Sequence, residues 1–212
     1  TKPRRPGGPN QAAGSALAVE PDRCVEKVGA AQGGIAAGAS GTRKEHQREL
    51  REDITATDNL VFFASRVAVG DIPEAIRAGL AVSRLTALAK VDQLKQPTGD
   101  IRGIATGACE RRVIARTIAQ QYAAPIMEAT SPFQYALSTR AGVDCVALLI
   151  RLLTDADSDK VVRSLDGIGA YDHVQRSAFF RVLAESPALE ALLPFVRLWY
   201  GQDSTYTWTD QE

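Results

Sequence analysis

The chain has 212 residues, 25 Lys+Arg against 25 Asp+Glu and a hydrophobic fraction of 45%, an ordinary globular composition long enough to bury a real core as one or two domains. No apolar run approaches the roughly 18 residues of a membrane span, and the opening Thr1–Asn10 lacks the apolar stretch of a signal peptide. Cys24, Cys109 and Cys145 are far apart with no C-x-x-C pair, and His46 and His173 are the only histidines, which argues against a disulfide framework, a zinc site or a His metal cage and fits a reducing intracellular setting.

Neutrality hides an asymmetry. Residues 1–153 hold 20 basic and 15 acidic side chains, and residues 154–212 hold 5 and 10. A basic segment beside an acidic one suits a chain that meets a polyanion in one place and cations in another. The start at Thr1 and the single methionine, Met127, predict a piece of something longer.

Residues 1–41 carry 8 of the 17 Gly and 4 of the 10 Pro, and no aromatic residue precedes Phe62, so residues 1–44 read as disordered or linker. Arg43–Asp53 is dense in charge and predicts an exposed helix. Asp71-Ile-Pro-Glu74 predicts a helix start, with Asp71 as cap and Glu74 at the capping-box position. Leu85–Lys90 and Ile101–Ala105 predict two strands of a hairpin with a basic tip, joined by a turn at Gln96–Asp100. From Glu110, the residues Val113, Ile114, Thr117, Ile118, Gln121 and Tyr122 share one helical face, with Arg111, Arg112 and Arg116 mostly elsewhere.

Residues 141–153 predict a helix that is apolar nearly all round, and therefore buried. Lys160–Leu165 predicts a strand after the acidic turn Asp155–Asp159. A helix is expected from about Ser177, another from Pro187 interrupted at Pro194, and a strand over Ser204–Thr209. The fold class is α+β.

Chemistry concentrates in Val161-Val-Arg-Ser-Leu-Asp-Gly-Ile-Gly-Ala-Tyr-Asp172. A carboxylate at a strand's end beside glycines is suited to hold a hard cation. Composition alone favours the simpler role of capping the turn that follows. Three familiar alternatives fail. A haloacid-dehalogenase-like D-x-D is broken by Ile168, and an EF-hand loop begun at Asp155 has Lys160 for its glycine and Asp166 for its closing Glu. No G-x-x-x-x-G-K-[ST] loop occurs.

Leu165-Asp-Gly-Ile-Gly-Ala-Tyr-Asp172 resembles palm motif A, L-D-x-x-x-A-[FY]-D, of reverse transcriptases of the non-LTR retrotransposon and group II intron type. Lys95-Gln-Pro-Thr-Gly-Asp-Ile-Arg-Gly-Ile104 is similar to their fingers hairpin K-P-x-G-G-x-R-P-I, and Glu110–Arg116 to the helix that follows it. Pro132–Leu137 and Arg140–Asp144 stand where the family has Q-x-G-F-R-x-G-R-[SG]-T-x-D, so the resemblance spans residues 72–209 in order. Gly103 replaces the usual Pro, and the family's Lys is matched by Lys95 or Lys90. The later G-x-x-Q-G-D-P and [FY]-x-D-D motifs are absent from the 212 residues.

The resemblance implies a partial right-hand polymerase fold, with fingers-like helices and hairpin over 45–153 and the first part of the palm over 154–212. It implies two Mg²⁺ ions in the complete enzyme, with Asp166 as catalytic metal ligand and the Gly167 carbonyl as a further oxygen. It makes Asp172 a support of the loop. Tyr171 would lie under the incoming sugar, Arg102 and Lys95 would meet the triphosphate, and Arg111, Arg112 and Arg116 would hold template phosphates. The implied partners are an RNA or DNA template-primer and deoxynucleoside triphosphates, with no membrane. The chain alone is then expected to be inactive; the alternative is a degenerate RNA-binding remnant without catalysis.

Overall fold

The structure, a computed structural model, describes residues 16–30, 34–136, 139–167 and 173–208. In chain order these form α1 (Pro21–Gly29), α2 (Lys44–Glu49), α3 (Ile54–Ala68), α4 (Glu74–Ala81), β1 (Ser83–Val91), β2 (Pro97–Thr106), α5 (Cys109–Gln121), α6 (Ala123–Thr130), α7 (Gly142–Ala156), α8 (Arg176–Glu185), α9 (Leu193–Tyr200) and β3 (Tyr206–Thr207). Short 3₁₀ turns follow α2, at Leu50–Glu52, and precede α9, at Glu190–Leu192. The architecture is α+β, with helices around a sheet of order β2-β1-β3. No helix among the described residues is long and apolar enough to cross a membrane.

The core explains why residues 16–30 are not the linker that their composition suggests. Leu17, Val19 and Cys24 pack with Ala64, Val67 and Ala68 of α3, Ile114 and Ile118 of α5, and Phe195 and Trp199 of α9. Val28 packs with Leu60 and Val113. A Gly- and Ala-rich average conceals a few large apolar side chains at helical spacing, and these suffice to anchor α1. Pro21 in its first turn and Asp22 beside it suit a helix start.

The fifteen-residue α3 has no counterpart among the expected elements. Its signals are nevertheless present: Asp53 Oδ1 accepts the Ala56 N–H at 3.2 Å, and Leu60, Ala64, Val67 and Ala68 repeat on one buried face. Helix α4 starts two residues later than expected. Pro73 is its N-cap, with no side-chain cap bond, because Asp71 is engaged by Arg66.

The expected hairpin forms, with Leu85 opposite Ala105, Ala87 opposite Gly103 and Leu88 opposite Arg102. Its turn lies earlier than expected, where Asp92 Oδ1 accepts the N–H groups of Leu94 at 2.8 Å and Gln96 at 2.9 Å. Pro97–Asp100 is already strand. An Asx-type turn at Asp92 outcompetes the Pro-Thr-Gly turn, and an irregularity between Ala89 and Val91 absorbs the mismatch. The tip is not purely basic, since Lys90 pairs with Asp100 at 3.5 Å.

Strand β3 runs parallel to β1, pairing Tyr206 with Ser83 and Thr207 with Arg84. Pro194 lies in the first turn of α9 and does not interrupt it, as its missing N–H allows.

Two expectations about the second half fail. Residues 161–167 form no strand, because none of the described strands lies beside them to pair with. Helix α7 is present but not buried: Val143 is 84% exposed, and Leu148, Leu149, Leu152 and Leu153 are all exposed. Its anchorage is at its start, where buried Gly142 leaves no room for a Cβ under the Tyr135 carbonyl.

Candidate functional site

The hairpin presents two different faces. Pairing places Arg84, Thr86, Leu88, Arg102 and Ile104 on one side, and Leu85, Ala87, Ala89, Ile101, Gly103 and Ala105 on the other. Arg102 is exposed on β2. Lys95 is exposed in the turn with φ 60°, and its N–H donates to the Asp92 carbonyl at 3.0 Å. Both cations are therefore open to solvent at stations along one projecting ribbon.

Two residues after β2 the chain enters α5, and the three arginines there separate by environment. Arg116 is exposed, whereas Arg111 and Arg112 are half-buried. Arg111 lies over the Trp199 ring, 4.6 Å from its centroid. Burial pulls its ionisation below the usual arginine range, and the Tyr200 and Tyr206 hydroxyls work against that pull. Arg112 donates from Nη2 to the Ala36 carbonyl at 2.9 Å, while its Nε is buried without a hydrogen-bond partner. Both line a cleft of about 330 Å³ formed by the ends of α4, β2 and α9, the starts of β1 and α5, and β3. Burial of these two side chains was not legible from helical periodicity, which places them off the apolar face.

Asp166 and Gly167 lie on the exposed irregular stretch 161–167. Tyr171 and Asp172 fall outside the described residues. Among the described residues no three Asp, Glu, His or Cys side chains stand together as a metal-holding group. The Asp166 carboxylate and the Gly167 carbonyl are hard oxygens of the type Mg²⁺ prefers, but they supply only two of its roughly six ligands.

Sequence reasoning had no signal for Arg176, which fastens the segment between α9 and β3. Its guanidinium donates to the Gln202 carbonyl at 2.5 Å and to Ser204 Oγ at 3.1 Å. That clamp holds Tyr206 in register against Ser83.

No protein-family description, no curated protein and no solved structure matches the chain.

Proposed function

We propose that the chain is the fingers and first palm portion of an RNA-directed DNA polymerase of the reverse-transcriptase kind, acting on a template-primer with deoxynucleoside triphosphates. One observation carries the reading. A long exposed hairpin bearing Arg102 leads directly into an arginine-bearing helix, ahead of Leu165-Asp-Gly-Ile-Gly-Ala-Tyr-Asp172, in the order that the family resemblance calls for.

In this reading the exposed cations Lys95, Arg102 and Arg116, with Arg111 and Arg112, meet phosphates irrespective of sequence. Asp166 and Gly167 would hold one side of a Mg²⁺ ion, and the ion supplies charge neutralisation at the transferring phosphoryl group. Tyr171 would exclude a ribose 2′-hydroxyl by bulk. The remaining carboxylates belong to motifs that these 212 residues do not contain, so the chain alone binds template without extending a primer.

A second reading, an RNA-binding remnant without catalysis, is favoured by the exposure and irregular backbone of Asp166 and Gly167. The deciding experiment joins the chain to a segment carrying the missing palm motifs and assays primer extension with Mg²⁺, beside salt-dependent RNA binding by the chain alone. Extension that disappears in D166N supports the polymerase. Binding without extension supports the remnant, and absence of both removes the whole nucleic-acid reading.

A further inference from the structure

The cleft beside α5 is a different feature from the exposed hairpin. Of its three arginines, Arg77 is already matched by Glu74, to which its Nε donates at 2.7 Å, and by Gln202 at 2.6 Å. Arg111 and Arg112 are held by neutral groups only, Arg111 by Tyr200 and Arg112 by the Ala36 carbonyl, and among the described residues neither forms an ion pair. Two donors on lining residues also lack acceptors: Arg112 Nε and Trp199 Nε1 are buried without a hydrogen-bond partner, and Trp199 is only 6% exposed. The Ser83 and Ser204 side chains belong to residues of the same lining. Two guanidinium groups without a counter-ion, on a lining that also carries hydroxyls and a single carboxylate, Asp203, suit an anion that accepts from several directions, which a tetrahedral phosphate does and a planar carboxylate does less well.

We propose that this cleft is a phosphate-binding site, in which Arg111 and Arg112 take a single phosphate group borne by a nucleotide or by a nucleic-acid backbone. The volume of about 330 Å³ admits a mononucleotide as well as a bare phosphate. Arg77, fixed by Glu74 and Gln202, completes the lining without contributing unpaired charge. The inference stands on the cleft alone and does not need the polymerase reading.

Calorimetric titration of the 212-residue chain with inorganic phosphate, with adenosine monophosphate and with a short single-stranded RNA tests it. Saturable binding is expected, weakened roughly tenfold or more in R111Q and unchanged in R181Q, at an exposed position of α8. Because R111Q also removes the contact with Trp199, a second variant is needed. At Gly107 a Cβ would sit 3.7 Å from Ser83 Oγ and 3.9 Å from Arg111 Cδ, which is ordinary contact. G107D therefore keeps the fold and delivers a carboxylate into the cleft, and it should abolish binding with the circular dichroism spectrum intact. Binding of RNA alone with the same dependence on Arg111 and Gly107 would assign the phosphate to a nucleic-acid backbone and support the site. No saturable binding of any probe, or binding indifferent to G107D, overturns the proposal; primer extension by the extended chain is read separately and is untouched by that result.

Discussion

Arg111 of α5 lies face-on to Trp199 of α9, with the guanidinium carbon 4.6 Å from the ring centroid, and Trp199 in turn meets Phe195 edge-to-face at 6.1 Å. The contact ties the helix after the hairpin to the last helix before β3. It thereby sets the width of the cleft between them. The aromatic ring contributes most of the energy through burial, and the cation over its face adds about 0.5–2 kcal/mol.

W199A is therefore expected to cost about 3–5 kcal/mol and R111M about 1 kcal/mol or less, measured by urea unfolding. W199F should recover most of the loss. If W199A and R111M proved equally mild, α9 would not be packed on α5 as described.

The buried thiols give a pH dependence with a definite sign. Burial pushes Cys24 above its ordinary 9.0, against a smaller opposing hydrogen bond with Thr117. Burial likewise pushes up Cys109, opposed chiefly by the nearby Arg112. The folded state thus favours the neutral thiol. Unfolded cysteines ionise first, so this contribution is complete below the unfolded value and is lost as pH rises beyond it. Stability between about pH 8 and about pH 10 should fall less steeply in C24A than in the parent. In the folded chain a thiol reagent should modify the exposed Cys145 and spare the other two until urea is added. Rapid labelling of all three would contradict the core.

What the sequence made legible was the material with short-range period. The hairpin follows from the short segments Leu85–Lys90 and Ile101–Ala105 on either side of turn residues, and the buried face of α5 from Val113, Ile114, Thr117 and Ile118, which the structure buries as a set. The helix expected after Arg43 is present as α2 and a 3₁₀ turn, but it is not exposed throughout, since Lys44 and Gln47 are buried. Misreadings arose where local preference and tertiary pairing compete. Val161, Val162 and Leu165 favour a strand, yet a strand needs a neighbour. Leu17, Val19 and Val28 are too few to register in a Gly-rich average, yet they are core. The cleft was invisible because Arg77, Arg111, Trp199 and Ser204 are distant in sequence. The packing of α9 on α5 and the register of β3 against β1 bring their segments together.

At the proposed metal position, D166N in a chain extended with the missing palm motifs should abolish nucleotide incorporation and leave template binding nearly unchanged. Asn fits the same irregular backbone, and the charge is what Mg²⁺ requires. Incorporation retained with Mg²⁺ would return Asp166 to a turn cap. In the same extended chain, Y171V should raise ribonucleotide use relative to deoxyribonucleotide use. An unchanged ratio would make Tyr171 ordinary packing.

Helix α7 yields the last expectation. Its apolar side chains Val143, Leu148, Leu149, Leu152 and Leu153 are exposed over about four turns, with Val161 and Leu165 exposed just beyond. A contiguous apolar surface of that kind promotes association. The 212-residue chain should therefore scatter light increasingly with concentration and with added sulfate, which strengthens apolar burial. L148E with L152E places two charges on side chains that are 57% and 58% exposed. No buried packing is lost, so the unfolding midpoint should move by less than about 0.5 kcal/mol equivalent, while scattering drops sharply. A large loss of stability in that double variant would mean that α7 is covered in solution by part of this chain or by a second copy. Equal scattering with equal stability would place the sticky surface elsewhere, on the apolar face of the hairpin around Ile101 or on the exposed Phe62 and Ile76.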